Sequence, residues 1–161
     1  MILLSFLLAA GQVTPVQPIV KGTGLPPVVV TEEAGVMVPI DAMLAALATR
    51  DGQALLPQVR PEGGATAVEE MADGTRIIRR TGWSDFAARL KPGPERYAER
   101  LTDPAVDIDG DIAMVWSPYV FTIDGRVAHC GTDHFDMVRE AGRWKILNIT
   151  WSRRTTGCPA Q

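Results

Sequence analysis

The sequence predicts an α+β fold: helices first, then a meander of antiparallel strands. Apolar residues recur at helical spacing in the first half. After about Tyr97 the chain turns β-rich and is cut by Gly-containing dipeptides. With 161 residues and 46 % hydrophobic content, one domain with a real core is expected.

Residues 2–10 form a short apolar run, far too brief for the ~20 residues that span a bilayer. Small residues follow it, so residues 1–11 read as a secretory signal peptide, although no Lys or Arg precedes the run. The other reading is an apolar start that packs on the domain. Export implies a periplasmic or secreted protein with no membrane segment in its mature form. Residues 12–35 hold four prolines and read as an extended leader, in which Val28, Val29 and Val30 could add an edge strand.

Ile40, Met43, Leu44, Leu47 and Ala48 lie on one face of a helix. Asp51 caps a second, short helix that Pro57 stops. Residues 60–74 are rich in Gly and acids and read as a loop, followed by a short strand over 75–80. Trp83, Phe86, Ala87 and Leu90 repeat the helical spacing, and Lys91, Pro92 and Gly93 end that helix. Four β-rich runs follow, turning at Asp109 and Gly110, at Asp124 and Gly125, and at Ala141 and Gly142. The first two pairs are strong hairpin signals, because a type I′ turn needs positive φ at both central residues. A four-stranded antiparallel sheet is expected, with residues 156–161 as a tail.

Net charge is −3 and no basic run exceeds a pair, which argues against nucleic acid as a partner. The two histidines, His129 and His134, are five apart and point to opposite faces of a regular strand, so joint metal ligation is not expected. Asp107, Asp109 and Asp111 mimic a calcium loop but lack its Glu ligand. No phosphate loop, nucleophile motif or CxxC is present, and no cofactor is expected. Cys130 and Cys158 are the only thiols. In an exported chain they can pair; a buried Cys130 with a loose Cys158 fits equally well.

The helix around residues 42–49 followed by Arg50, Asp51 and Gly52 resembles the nuclear transport factor two-like superfamily. So does the run from Asp124 and Gly125 through Asp133, His134 and Phe135 to Gly142, Arg143, Trp144, Lys145 and Ile146. More narrowly it looks like the SnoaL-like and lumazine-binding-like branch, over residues 36–155. The resemblance implies a cone: a curved antiparallel sheet wrapped round N-terminal helices, with a pocket at the open end.

Two-residue loops at both hairpins set a register in which His134 faces Val115 and Ile149. One face then collects Ser117, Tyr119, Cys130, Thr132, His134, Asp136, Leu147, Ile149 and Trp151. The other collects Trp116, His129, Asp133, Phe135, Met137, Trp144 and Ile146. Both are largely apolar, so both need cover, and a homodimer is expected. Matching the last hairpin to that of ketosteroid isomerases puts His134 at a pocket acid and Trp151 at a pocket Trp. The concave face is therefore expected to carry Tyr119, His134 and Trp151; a one-residue bulge would invert that choice.

On this reading His134 is the candidate acid/base, oriented by Tyr119 or Asp136, with Glu62 a weaker candidate base. Ser117, Tyr119, Leu147, Ile149 and Trp151 line a pocket for a small apolar or aromatic molecule. The bland reading makes His134 and Tyr119 hydrogen-bonded core polars and Trp151 core filling. Two function classes follow: a cofactor-independent binding domain or acid/base enzyme of the isomerase, dehydratase or cyclase kind, or a non-catalytic dimerisation or interaction module with an incidental cavity.

Overall fold

Thr31 starts the first helix by accepting the Ala34 amide on its hydroxyl at 3.1 Å, and Glu32 and Glu33 complement the positive end of the helix dipole. This computed structural model describes residues 31–71 and 73–159. The signal-peptide reading and the strand at Val28, Val29 and Val30 lie outside them. Helix α1 (Glu32–Thr49) runs through Pro39 and begins inside the stretch expected to be extended leader. The capping Thr and the acidic first turn outweigh the upstream prolines. Val36, Ile40 and Met43 bury one face of it. Asp51 caps α2 (Gly52–Leu55) by accepting from Gln53 and Ala54, as expected, and α3 (Trp83–Arg89) packs its Trp83 into the core.

Among the described residues, seven strands form one sheet: β1 (Val59–Glu70), β2 (Arg76–Gly82), β3 (Tyr97–Leu101), β4 (Ala105–Asp109), β5 (Ile112–Ile123), β6 (Arg126–Glu140) and β7 (Arg143–Arg153). Their order is β2-β1-β7-β6-β5-β3, with β4 also on β5. Every pairing is antiparallel except β1 with β7. The sheet is open, and its inner face packs on α1. Asp124, Gly125, Ala141 and Gly142 all have positive φ, as type I′ hairpins require. The first turn is Gly110 and Asp111, one residue later than expected, since Asp109 pairs with Ile112.

The expected loop over residues 60–74 is mostly strand β1. Its glycines are there for close approach: a Cβ on Gly63 would lie 1.6 Å from the Leu147 carbonyl oxygen, and one on Gly64 would lie 2.6 Å from that of Thr81. Glycine read as a breaker is here what lets β1 enter the sheet between two neighbours.

Two bulges set which side chains face inward. Pairing starts in the expected register, Ile123 with Arg126, but Phe121 pairs with His129, so Ala128 is unpaired. Across the other edge of β6, Met137 pairs with Ile146 and Asp136 with Asn148, so Leu147 is unpaired. His134 therefore faces Trp116 and Thr150, not Val115 and Ile149. The buried row becomes Val115, Ser117, Tyr119, Asp133, Phe135, Met137, Ile146 and Ile149. His134 and Asp136 move to the outer face, where Trp116 is 52 % exposed.

The Leu147 bulge is stabilised from α3. The Trp83 indole N–H donates to the Leu147 carbonyl at 3.0 Å, and the Asn148 side chain accepts the Gly64 amide at 3.2 Å. After β7 the chain pairs Arg154 with Cys130, and Cys158 closes a disulfide to Cys130 with a Cα separation of 5.6 Å. This settles the alternatives left by the sequence in favour of the bridge.

Two stability changes are expected. Trp83→Phe leaves a buried carbonyl without its donor and should cost about 2 kcal/mol or more in denaturant unfolding. Cys158→Ser should lower stability by about 3 kcal/mol, from the loop-closure entropy of the 28-residue separation. Reductant should then destabilise the parent chain but not the variant.

Candidate functional site

A cavity of about 260 Å³ lies between the helices and the inner face of the sheet. Met43 and Leu47 of α1 and Phe86 of α3 form its apolar wall. Phe121, Ile149 and Trp151 supply apolar and aromatic surface from the sheet, and Glu99, His129 and Asp133 supply polar groups. Glu69 and Arg153 also line it, paired with each other at 3.3 Å, and Glu69 bonds Arg79 as well at 3.1 Å.

Strand pairing explains how these residues meet. Glu99, Phe121 and His129 form one row across β3, β5 and β6. Ser117, Asp133 and Trp151 form another across β5, β6 and β7. The His129 ring stacks on Phe121 with centroids 4.6 Å apart and planes 5° from parallel. Tyr119 pairs with Gly131, and its ring must cross β6 there to donate its hydroxyl to the Ser152 carbonyl at 3.1 Å. A Cβ on Gly131 would lie 1.9 Å from the Ser152 carbonyl oxygen, so glycine there lets the end of β7 press close on β6.

That bond fixes the imidazole. His129 Nδ1 lies 3.1 Å from the Tyr119 oxygen. With the phenol proton given to Ser152, the oxygen accepts from Nδ1–H, and Nε2 is left as an acceptor. Burial and the nearby Arg153 charge push the His129 pKa down to about 4, so the ring is neutral at ordinary pH. Burial and the negative charge of Asp133 and Glu99 hold the Tyr119 phenol protonated.

The acids behave in the opposite sense. Asp133 is 1 % exposed, and its Oδ2 is buried with no N–H or O–H donor within reach among the described residues. The group that meets it is the carboxyl of Glu99. Burial raises both pKa values, and the charge of Glu99 raises that of Asp133 further. Two carboxyl groups so placed cannot both ionise cheaply, so they hold a proton between them at neutral pH. A carboxylic acid kept neutral by an apolar site can donate a hydrogen bond or a proton.

The residues expected from sequence are distributed differently. Ile149 and Trp151 line the cavity. Tyr119 is buried beneath it and positions His129. Ser117 is fully buried, exchanging hydrogen bonds with the backbone of Thr102 at 3.0–3.1 Å, and so anchors the segment between β3 and β4. His134 and Asp136 lie 3.5 Å apart on the outer face, beside Trp116. Leu147 lines an outer cleft with Met114 and Asp136. Glu62 is exposed and paired with Arg60 at 2.8 Å, away from the cavity. Glu99, Phe121, His129 and Asp133 were not selected from sequence. One signal for Asp133 was present: it shares strand parity with Phe135 and Met137, an acid in an otherwise apolar row.

Among the described residues, no group of three or more His, Cys, Asp or Glu is arranged to hold a metal ion. The dyad predicts an unusual pH response. A carboxyl whose folded pKa lies above its unfolded value of about 4 contributes stability that is complete below pH 4 and lost as pH rises through the folded pKa. Asp133→Asn removes that loss. The variant should gain roughly 1–3 kcal/mol over the parent at pH 8 and little at pH 4, measured by urea unfolding.

No family model matches this sequence, and no curated protein matches it. Solved structures do. A nuclear transport factor two-like protein of unknown function from Shewanella baltica is 14 % identical, with 78 % of this chain and 96 % of that one covered at a TM-score of 0.58. A second, from Novosphingobium aromaticivorans and described as having a cystatin-like fold, is 16 % identical over 79 % of this chain and 84 % of that one, at 0.60. From the same organism, the beta subunit of a candidate aromatic-ring-hydroxylating dioxygenase is 10 % identical over 80 % and 92 %, at 0.62. With its N-terminal helices held in a curved, open sheet, this chain has the nuclear transport factor two-like fold.

Proposed function

We propose that the chain is an exported, SnoaL-like binding domain that takes a small, largely apolar or aromatic molecule into the cavity without a cofactor. The observation that carries this reading is the Glu99 and Asp133 pair, set among Phe86, Phe121 and Trp151. A cavity with an apolar wall and a few convergent polar groups is what small-ligand recognition requires. The same pair can give or take a proton, and neutral His129 offers an acceptor, so acid/base turnover of the bound molecule is within its chemistry. Glu99, Asp133 and His129 take the role that sequence assigned to His134. The disulfide suits an oxidising compartment, which supports a periplasmic or secreted location.

A second reading has its own observation. Ile112, Met114 and Trp116 leave an apolar patch on the outer face, 59 %, 39 % and 52 % exposed. A second copy of the chain laid on that face would form a homodimer, and the domain would then act as a dimerisation module. One fold neighbour is described as the beta subunit of a candidate dioxygenase.

The two histidines separate the readings, because His129 reports the cavity and His134 the outer face. In an NMR titration with small aromatic and polyketide-like molecules, a cavity ligand should move His129 and leave His134 in place. If no ligand moves His129, while Trp116→Arg shifts His134 and converts a dimer to monomer by ultracentrifugation, the module reading replaces the first.

A further inference from the structure

Buried carboxylates normally have a cationic partner, and this pair has none. Neither Glu99 nor Asp133 makes an ion pair among the described residues, and the nearby cation, Arg153, is bonded to Glu69. Asp133 is buried, lines the cavity and keeps Oδ2 without a donor. The rings of Phe86, Phe121 and Trp151 line the same cavity. An imidazole there would repel a cation if charged, but His129 is held neutral.

We propose that the cavity selects a small organic ammonium, a protonated amine on an apolar or aromatic body, whose N–H groups bond Glu99 and Asp133. This deepens the proposed function and rests on the cavity being a ligand site. An ammonium carries donors only, which is what two ionised carboxylates lack, and rings within about 6 Å of such a cation add attraction. A neutral alcohol or ketone satisfies the pair less well, because it brings no charge to offset a second ionised carboxylate.

The proton balance follows. In the empty site the two carboxyls share a proton; when the ammonium enters, that proton leaves to the buffer and both carboxylates face the cation. Binding is therefore coupled to proton release and strengthens as pH rises, until the pair is ionised without ligand. The groups facing the pair are Tyr119 of β5, His129 of β6, Arg153 of β7 and Glu69 of β1. Met43, Leu47 and Phe86 of the helices carry no charge. Tyr119 and His129 stay neutral through this range, and Glu69 and Arg153 are mutually paired, so the release belongs to Glu99 and Asp133.

The test is calorimetry on the oxidised chain with phenethylamine, 2-phenylethanol and phenylpropionate, in phosphate and in Tris, from pH 6 to pH 8. Phenethylamine should bind at least about tenfold more tightly than the alcohol, with about one proton released, seen as a difference in heat between the buffers. Its affinity should rise with pH by up to about tenfold per unit while the pair holds its proton. Asp133→Asn should abolish the proton release and weaken the amine about tenfold or more, leaving the alcohol within about threefold. Glu99→Gln, at a half-buried position, repeats the comparison should Asp133→Asn not fold. Equal or tighter binding of the alcohol, or amine binding without proton release, overturns the ammonium assignment and leaves the cavity a ligand site. If none of the three binds and His129 is silent to every molecule in the NMR panel, both readings fall.

Discussion

One unpaired residue, Ala128, decides the chemistry of the inner face. A strand has a side-chain period of two, so a single extra residue moves every later side chain to the opposite face. With Ala128 bulged, His129, Asp133, Phe135 and Met137 turn inward and His134 and Asp136 turn outward. The second bulge, at Leu147, restores parity with β7, so that Ile149 and Trp151 stay on the cavity side. Buried surface enforces the arrangement: without the first bulge, Phe135 and Met137 would leave the hydrophobic core and face solvent. The second is fixed by direct contact, through the Trp83 indole on the Leu147 carbonyl and the close approach of Gly63 to the same atom.

The same packing raises the energy of the acids it encloses. Burial disfavours their charged forms, and no ion pair with a cation among the described residues compensates. Other charges show the contrast. Arg50, itself 8 % exposed, pairs with Glu95 at 2.9 Å and lies over the Tyr97 ring; Arg139 pairs with Asp111 at 2.7 Å. These two cations have acidic partners, whereas Glu99 and Asp133 have only each other among the described residues. Strain of that kind tends to gather at functional sites.

The end of the chain is tied to the same site. Ser152 accepts the Tyr119 hydroxyl on its carbonyl, and its own side chain accepts the Thr132 amide at 3.0 Å. Two residues on, Arg154 pairs with Cys130, which the disulfide locks to Cys158. The bridge therefore holds the last turn of β7 against β6 at the point where Tyr119 orients His129.

Local patterns in the sequence determined the first helices, the Asp51 cap and the two later hairpins. Each depends on residues a few positions apart: helical spacing, a side-chain cap, positive φ at Asp124 and Gly125. Even the general outline of the fold was readable from the order of those patterns and from a few residues such as Trp144 and Ile146. What only the tertiary structure decided was everything that depends on distant partners. Residues 60–74 read as a loop because glycine lowers strand propensity, yet Gly63 and Gly64 are needed where neighbouring strands press close. The bulges left no local mark, since Ala128 and Leu147 are ordinary strand residues, and only the burial of both strands in the core shows where the register slips. So the acid at the site proved to be Asp133 with Glu99, thirty-four positions apart, rather than His134, one position from Asp133 and on the other side of the sheet.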